Sequence, residues 1–495
     1  MGGHLATRIQ CGRTHLCKYS SLLVVLILFC LVRSFQYPSR PFNTAPIHNM
    51  HALDVEILEH DLFQGLYYLH SQPPLFNLML GVGLKVLPDS WFAEGFACLY
   101  FILGLGLFGL CERLMNLFGV PWLLRIFLLA SFLFHEPILS AERYLIYTHP
   151  LAFLIVLGIY ASGKWIQNGK PFWLAAALIS LASIVLMRSF FHLILWMLPM
   201  LALLYLASFR FRGRCGKKEV LAGIITVAFC SLFYAKNLVV AGEFTSSTWF
   251  GMNFAAMTAY MDPKRTETLL AVGKITPLVN IRRFSPPQVY IDYYGAAPHT
   301  GIEALDAPTK STGKPNFNNF ILVRASQESA ANTITQVKDA PLNYLKAVLN
   351  EVHIYFSQTP GRVFNEGSPW RPALDLWRNP LNWAFIRIWI VPILAFLMYV
   401  WIVVFQLREL KKFRVPPPSD SRTGAATLVH LLCAFNLVYV LLIAGLFELG
   451  EGCFMRIPID PLILIGGAVL MSRFFSVFLR FFSMNYSGRC CTVLW

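Results

Sequence analysis

Residues 48–80 lie between the first apolar segment and the second and read HNMHALDVEILEHDLFQGLYYLHSQPPLFNLML. Asp54, Glu56, Glu59 and Asp61 crowd the first half, and His70 and Pro73-Pro74 stand in the second. Carboxylates at the rim of a bilayer are costly unless they face water, a partner or a substrate. Asp54 and Glu56 are close enough to act as a pair. One of them can serve as general base, its affinity for protons set by desolvation and by the other's charge. The competing reading is a solvated amphipathic helix on the membrane surface.

Three more constellations carry candidate chemistry. His135-Glu136-Pro137, Glu142-Arg143-Tyr144 and His149-Pro150 form a second acidic loop. The spacing of His135, Glu136 and His149 matches no standard metal site, so no metal ligand is assigned, although a divalent ion is left open. Arg188-Ser-Phe-Phe-His192 puts an arginine at the end of an apolar hairpin. A guanidinium there suits a phosphate, and the alternative is snorkelling to lipid headgroups. Glu448-Leu-Gly-Glu451 and Arg456-Ile-Pro458-Ile-Asp460-Pro461 open the last apolar stretch. Arg456 suits either a phosphate or a structural salt bridge.

The elements that must position these groups are membrane helices. The 495 residues are 56% hydrophobic and only 14% charged, where a soluble domain carries about a quarter charged residues. The expected fold is an all-α polytopic membrane protein of about 10–12 transmembrane helices, with juxtamembrane helices and a small extracytoplasmic cap. Apolar segments fall near 20–36, 91–111, 121–139, 150–163, 172–187, 190–207, 219–235, 382–407, 425–447 and 458–478. The net charge of +15 is concentrated in short loops such as 208–218 and 408–414, so it reads as cytoplasmic positive charge and not as a nucleic-acid site. The acidic stretch 48–61 and the long polar segment then share the opposite face. That holds only if 73–88 does not cross, so 62–88 is expected to be juxtamembrane or re-entrant. The chain divides into a membrane catalytic module (1–235), a cap (236–381) and C-terminal membrane helices (382–495). No C-x-x-C spacing occurs, and the cysteines outline no disulfide framework.

In their order along the chain, these residues resemble the GT-C superfamily of polytopic glycosyltransferases. That superfamily includes the protein O-mannosyltransferases, the lipid A aminoarabinose transferases and the lipopolysaccharide-core sugar transferases. Asp54-Val-Glu56 and Gln72-Pro73-Pro74-Leu75 resemble its acidic motif and its [HK]-P-P-L motif, with Gln72 in place of the basic residue. Ala141 to Pro150 resembles its second acidic loop. Ala235-Lys236-Asn237, Gly242-Glu-Phe and Gly251-Met-Asn253 resemble R-N…G-x-F…G-x-N, with lysine for arginine. Arg456-Ile-Pro-Ile-Asp-Pro-Leu resembles R-x-P-x-x-P-L.

The resemblance implies transfer of a sugar from a polyprenyl-phosphate donor (dolichyl or undecaprenyl) to a hydroxyl on a glycan, lipid or protein acceptor. A single displacement would invert the anomeric centre. It further implies Asp54 as base, assisted by Glu56 and Glu142, and Arg188, Lys236 and Arg456 as donor-phosphate ligands. His70, His149 and Asn253 would form the acceptor or sugar pocket. The resemblance assigns no certain cofactor and leaves a divalent metal open. The site would face the periplasm or lumen, from a bacterial inner (plasma) membrane or the endoplasmic reticulum membrane. The rival expectation is a transporter or flippase for a lipid-linked sugar, which should show paired halves or matching interrupted helices. The sequence contains no such repeat.

Overall fold

The computed structural model describes residues 21–213, 215–357, 391–413 and 421–485. The cap boundary expected near 381 lies outside the described residues. Among the described residues the chain is helical throughout, with two isolated β-bridges and no strands. The protein is an all-α polytopic membrane protein.

Among the described residues, seven helices are long and apolar enough to cross a bilayer: Ser21–Ser39, Asp89–Leu117, Thr148–Asn168, Leu193–Arg212, Lys217–Ala241, Ser421–Phe447 and Gly452–Phe478. Further apolar segments expected from sequence are bent or short there. The apolar stretch near 121–139 is bent by 65° between Trp122–Phe132 and Glu136–Glu142. Pro137 sits in the first turn after the bend, where a missing N–H is harmless. Counted as one span, this pair raises the total to eight. Pro171–Met187 has 17 residues, about 25 Å of helix, which is short of an average hydrocarbon core. The described part of the segment expected at 382–407 is similarly short, as is Pro74–Val86 with 13 residues.

Thr148–Asn168 and Ser421–Phe447 are the most enclosed spans. The first packs against Asp89–Leu117, Pro171–Met187 and the second. Its C-terminus shows why it ends where it does. Gly169 takes φ 68°, its N–H reaches the Trp165 carbonyl at 2.8 Å, and Pro171 opens the next helix. A left-handed glycine followed by a helix-starting proline makes a tight antiparallel hairpin. Gly158 brings that hairpin together: a Cβ there would lie 3.2 Å from Ser180 Cβ, the small-residue contact usual between membrane helices.

The segment 242–357 forms the cap. Its core joins Trp249, Met252, Leu278, Tyr290, Ile321, Leu322 and Ala325. The cap also clamps the first loop. His70 is fully buried, with Nδ1 2.9 Å from Thr248 Oγ1 and Nε2 2.9 Å from the Asn318 carbonyl. Ser247 donates to the Ser71 carbonyl at 2.6 Å. Lys310 donates to the carbonyls of Asn49 and Ala52, both at 2.8 Å. These bonds fix residues 49–72 against the cap, so both can wall one cavity.

Candidate functional site

Three connected chambers of about 550, 440 and 370 Å³ lie between the first loop, the cap and the helix termini at Arg188 and Glu451. The two larger chambers share His51, Arg188 and Glu451. The second also meets Gln72, Asn253, Arg282 and Arg283, and the third adds His192 and Glu448.

Arg188 enters this space because the helix Pro171–Met187 stops there. Its backbone turns extended (φ −144°, ψ 124°), and the chain re-enters a helix only after His192. The guanidinium donates to the Tyr147 hydroxyl and lies 4.7 Å from that ring's centroid. Among the described residues no carboxylate pairs with Arg188, Arg282 or Lys314, all three of which line the chambers. Arg188 is half-buried and Arg282 and Lys314 are exposed, and unpaired cations around one cavity attract an anion. Arg283 differs, since it is paired with Glu448 at 2.9 Å. The loop carrying both arginines includes Phe284 at φ 54°. A left-handed phenylalanine costs about 1–3 kcal/mol, and edge-on packing against Trp249 (5.3 Å between centroids) holds it there.

His51 is neutral in this setting. Burial, then the charges of Arg188 and Lys310, pull it down to about 3. Its Nδ1 is buried with no hydrogen-bond partner.

The residues nominated from sequence divide into two groups. Arg188 and Asn253 line the chambers. Lys236 lies elsewhere: it donates to the Leu69 carbonyl and lines a separate apolar groove of about 1150 Å³. Pro74, Leu75, Leu178, Ala182 and Phe229 also wall this groove. The other six are placed outside the chamber walls. Asp54 caps the helix Val55–His60, and its carboxylate accepts from the N–H and hydroxyl of Ser311 and from Glu56 N–H. Glu56 is exposed on the first turn of that helix. Glu142 is fully buried in an ion pair with Arg33 at 2.9 Å and accepts from Tyr37. His70 serves the clamp described above. His149 bonds the Tyr100 carbonyl at 3.1 Å and stacks on that ring. Arg456 pairs with Asp460 at 3.0 Å and donates to the Tyr355 carbonyl, while Asp460 also meets His135 at 2.9 Å.

Sequence reasoning assigned no role to His51, Arg282 or Glu451. His51 and Glu451 fall inside constellations already singled out, but nothing in their spacing indicates that they meet. No described group of three or more His, Cys, Asp or Glu side chains could hold a metal ion.

Glu448, which lines the third chamber, and Glu351 give a testable pH signature. Glu448 is raised to about 7 by burial and then by the charge of Glu451, against the pull of Arg283. Glu351 is also raised to about 7, chiefly by burial, although the N–H groups of Gly450 and Gly452 oppose this. A raised carboxyl binds its proton more tightly in the folded protein than in the unfolded chain. Its stabilising effect is therefore complete below its ordinary value of 4.5 and is lost as pH climbs through about 7. The expected result is a melting temperature that falls between pH 5 and pH 8. The Glu351→Gln/Glu448→Gln double variant should show a flatter slope, by up to roughly 1 kcal/mol per pH unit for each group removed. Parallel melting curves for wild type and double variant would contradict the assignment.

Comparison of the chain with family models, curated proteins and solved structures finds no match.

Proposed function

We propose that this protein is a membrane glycosyltransferase. It moves a sugar from a polyprenyl-phosphate donor to an acceptor hydroxyl on the extracytoplasmic or lumenal side, by an inverting single displacement. The observation that carries the reading is the placement of an apolar groove and a cationic cavity on the two sides of one turn. Pro74 and Leu75 line the groove, Gln72 lines the cavity, and Lys236 bonds Leu69 at the start of the same turn. An amphiphile with a long apolar chain and an anionic head matches that pairing. Its tail lies in the groove and its phosphate meets Arg188.

The chemistry needs a cation where charge develops on the leaving phosphate. It also needs a carboxylate near an oxocarbenium-like centre. Arg188 supplies the first and carries no competing carboxylate among the described residues. Of the rival expectations for a transporter, matching interrupted helices are not found among the described residues. The described residues hold one bent pair, in the N-terminal half.

The test is covalent transfer from labelled lipid-linked sugars in membranes that contain the protein. Label should move to an acceptor from polyprenyl-phosphate sugars and not from nucleotide sugars. Movement of the donor across the bilayer with no covalent product would favour the transporter.

A further inference from the structure

We propose that Glu451 is the carboxylate that accepts the acceptor hydroxyl's proton, a role that rests on the transferase reading above. Glu451 is the one carboxylate among the described residues that line the two larger chambers, and it shares both with Arg188 and His51. No hydrogen bond or ion pair engages its side chain among the described residues. The acids around it are all occupied. Glu448 is paired with Arg283, Asp460 with Arg456, and Glu351 accepts from two backbone N–H groups.

The turn that holds Glu451 is built to keep it in place. Glu351, on the helix Pro341–Ser357, accepts from Gly450 N–H at 2.5 Å and from Gly452 N–H at 2.6 Å. Gly450 takes φ 102°, and a Cβ on Gly452 would lie 2.2 Å from Glu351 Oε1. Glycine is needed at both positions, one for its backbone angle and one for space. Glu351 thus grips the residues on either side of Glu451 and leaves the Glu451 carboxylate free.

The charge of Glu451 reaches Tyr147, whose hydroxyl accepts from Arg188. Cation and carboxylate therefore act on one space. In the reaction, the acceptor oxygen forms a bond to the anomeric carbon as the bond from that carbon to the phosphate oxygen breaks. The bonding pair leaves with the phosphate, beside Arg188. The hydroxyl proton passes to Glu451 and from there to water in the cavity. Half-buried His51 lines the same space and, held neutral there, adds no charge to it.

The experiment compares wild type with Glu451→Gln and Glu451→Asp in membranes. It uses whichever polyprenyl-phosphate sugar of a panel the wild type turns over. Glu451→Gln should lower kcat by about 10²–10⁴-fold while donor KM stays within about threefold. Glu451→Asp should recover part of the rate, and all three proteins should have similar melting temperatures at one pH, since no hydrogen bond or ion pair among the described residues is lost. A Glu451→Gln variant with near-wild-type kcat would overturn the assignment. So would one that raises donor KM and leaves kcat intact, since that would make Glu451 a binding group. Absence of transfer by the wild type with every donor is a separate outcome, which removes the reaction itself and the role of Glu451 with it.

Discussion

Replacing Glu142 with alanine is expected to cost about 3–5 kcal/mol of stability. Both members of its pair with Arg33 have no solvent exposure. Arg33 is further fixed by a 2.8 Å bond to the Leu133 carbonyl and by the rings of Phe29 and Phe108. Removing the acid leaves that guanidinium charged, buried and unable to relax to water. The melting temperature in detergent should drop by on the order of 3–5 °C, with a matching loss of monodisperse protein. Removing both charges together, as Arg33→Met with Glu142→Leu, should recover much of the loss, because the penalty lies in the unpaired ion and not in the missing bond. A Glu142→Ala protein that melts like wild type but transfers no sugar would return Glu142 to the catalytic role expected from its sequence context.

The second large effect belongs to Arg188. Arg188→Ala should lower transfer by about 10²–10³-fold, the range for removing one fixed donor from a developing negative charge. Its described contacts are a hydrogen bond and a ring contact with Tyr147 and a ring contact with Phe190. Stability should therefore change little. Arg188→Lys should recover only part of the rate, since an ammonium lacks the planar fork that grips two phosphate oxygens. A large loss of stability with unchanged turnover per folded molecule would instead make Arg188 a structural snorkelling residue.

The helices were largely legible in the sequence because a membrane span leaves a long, one-dimensional record. The ten apolar segments expected from composition coincide with seven full spans, one bent pair and two short helices. Hydropathy reports apolarity and shows neither the bend between Phe132 and Glu136 nor the 17-residue length of Pro171–Met187. The site was less legible. Residue type marks an acid or an arginine as expensive near a membrane, but not what neutralises it. Glu142 lies 109 positions from Arg33 and Asp54 lies 257 from Ser311. Neither pairing has any local signal. Arg188 could be read from its own segment because it stands at a break between apolar helices. Glu451 could not, since its availability depends on Glu351, a hundred residues upstream, gripping the two glycines beside it.

The most direct test of the transferase account is transfer of a tritiated sugar from polyprenyl-phosphate donors in membranes carrying either the wild-type chain or Arg188→Ala. The account predicts covalent label on an acceptor with the wild type, reduced at least about a hundredfold by the variant. Donor left chemically intact in both membranes, or equal labelling in the two, would contradict it.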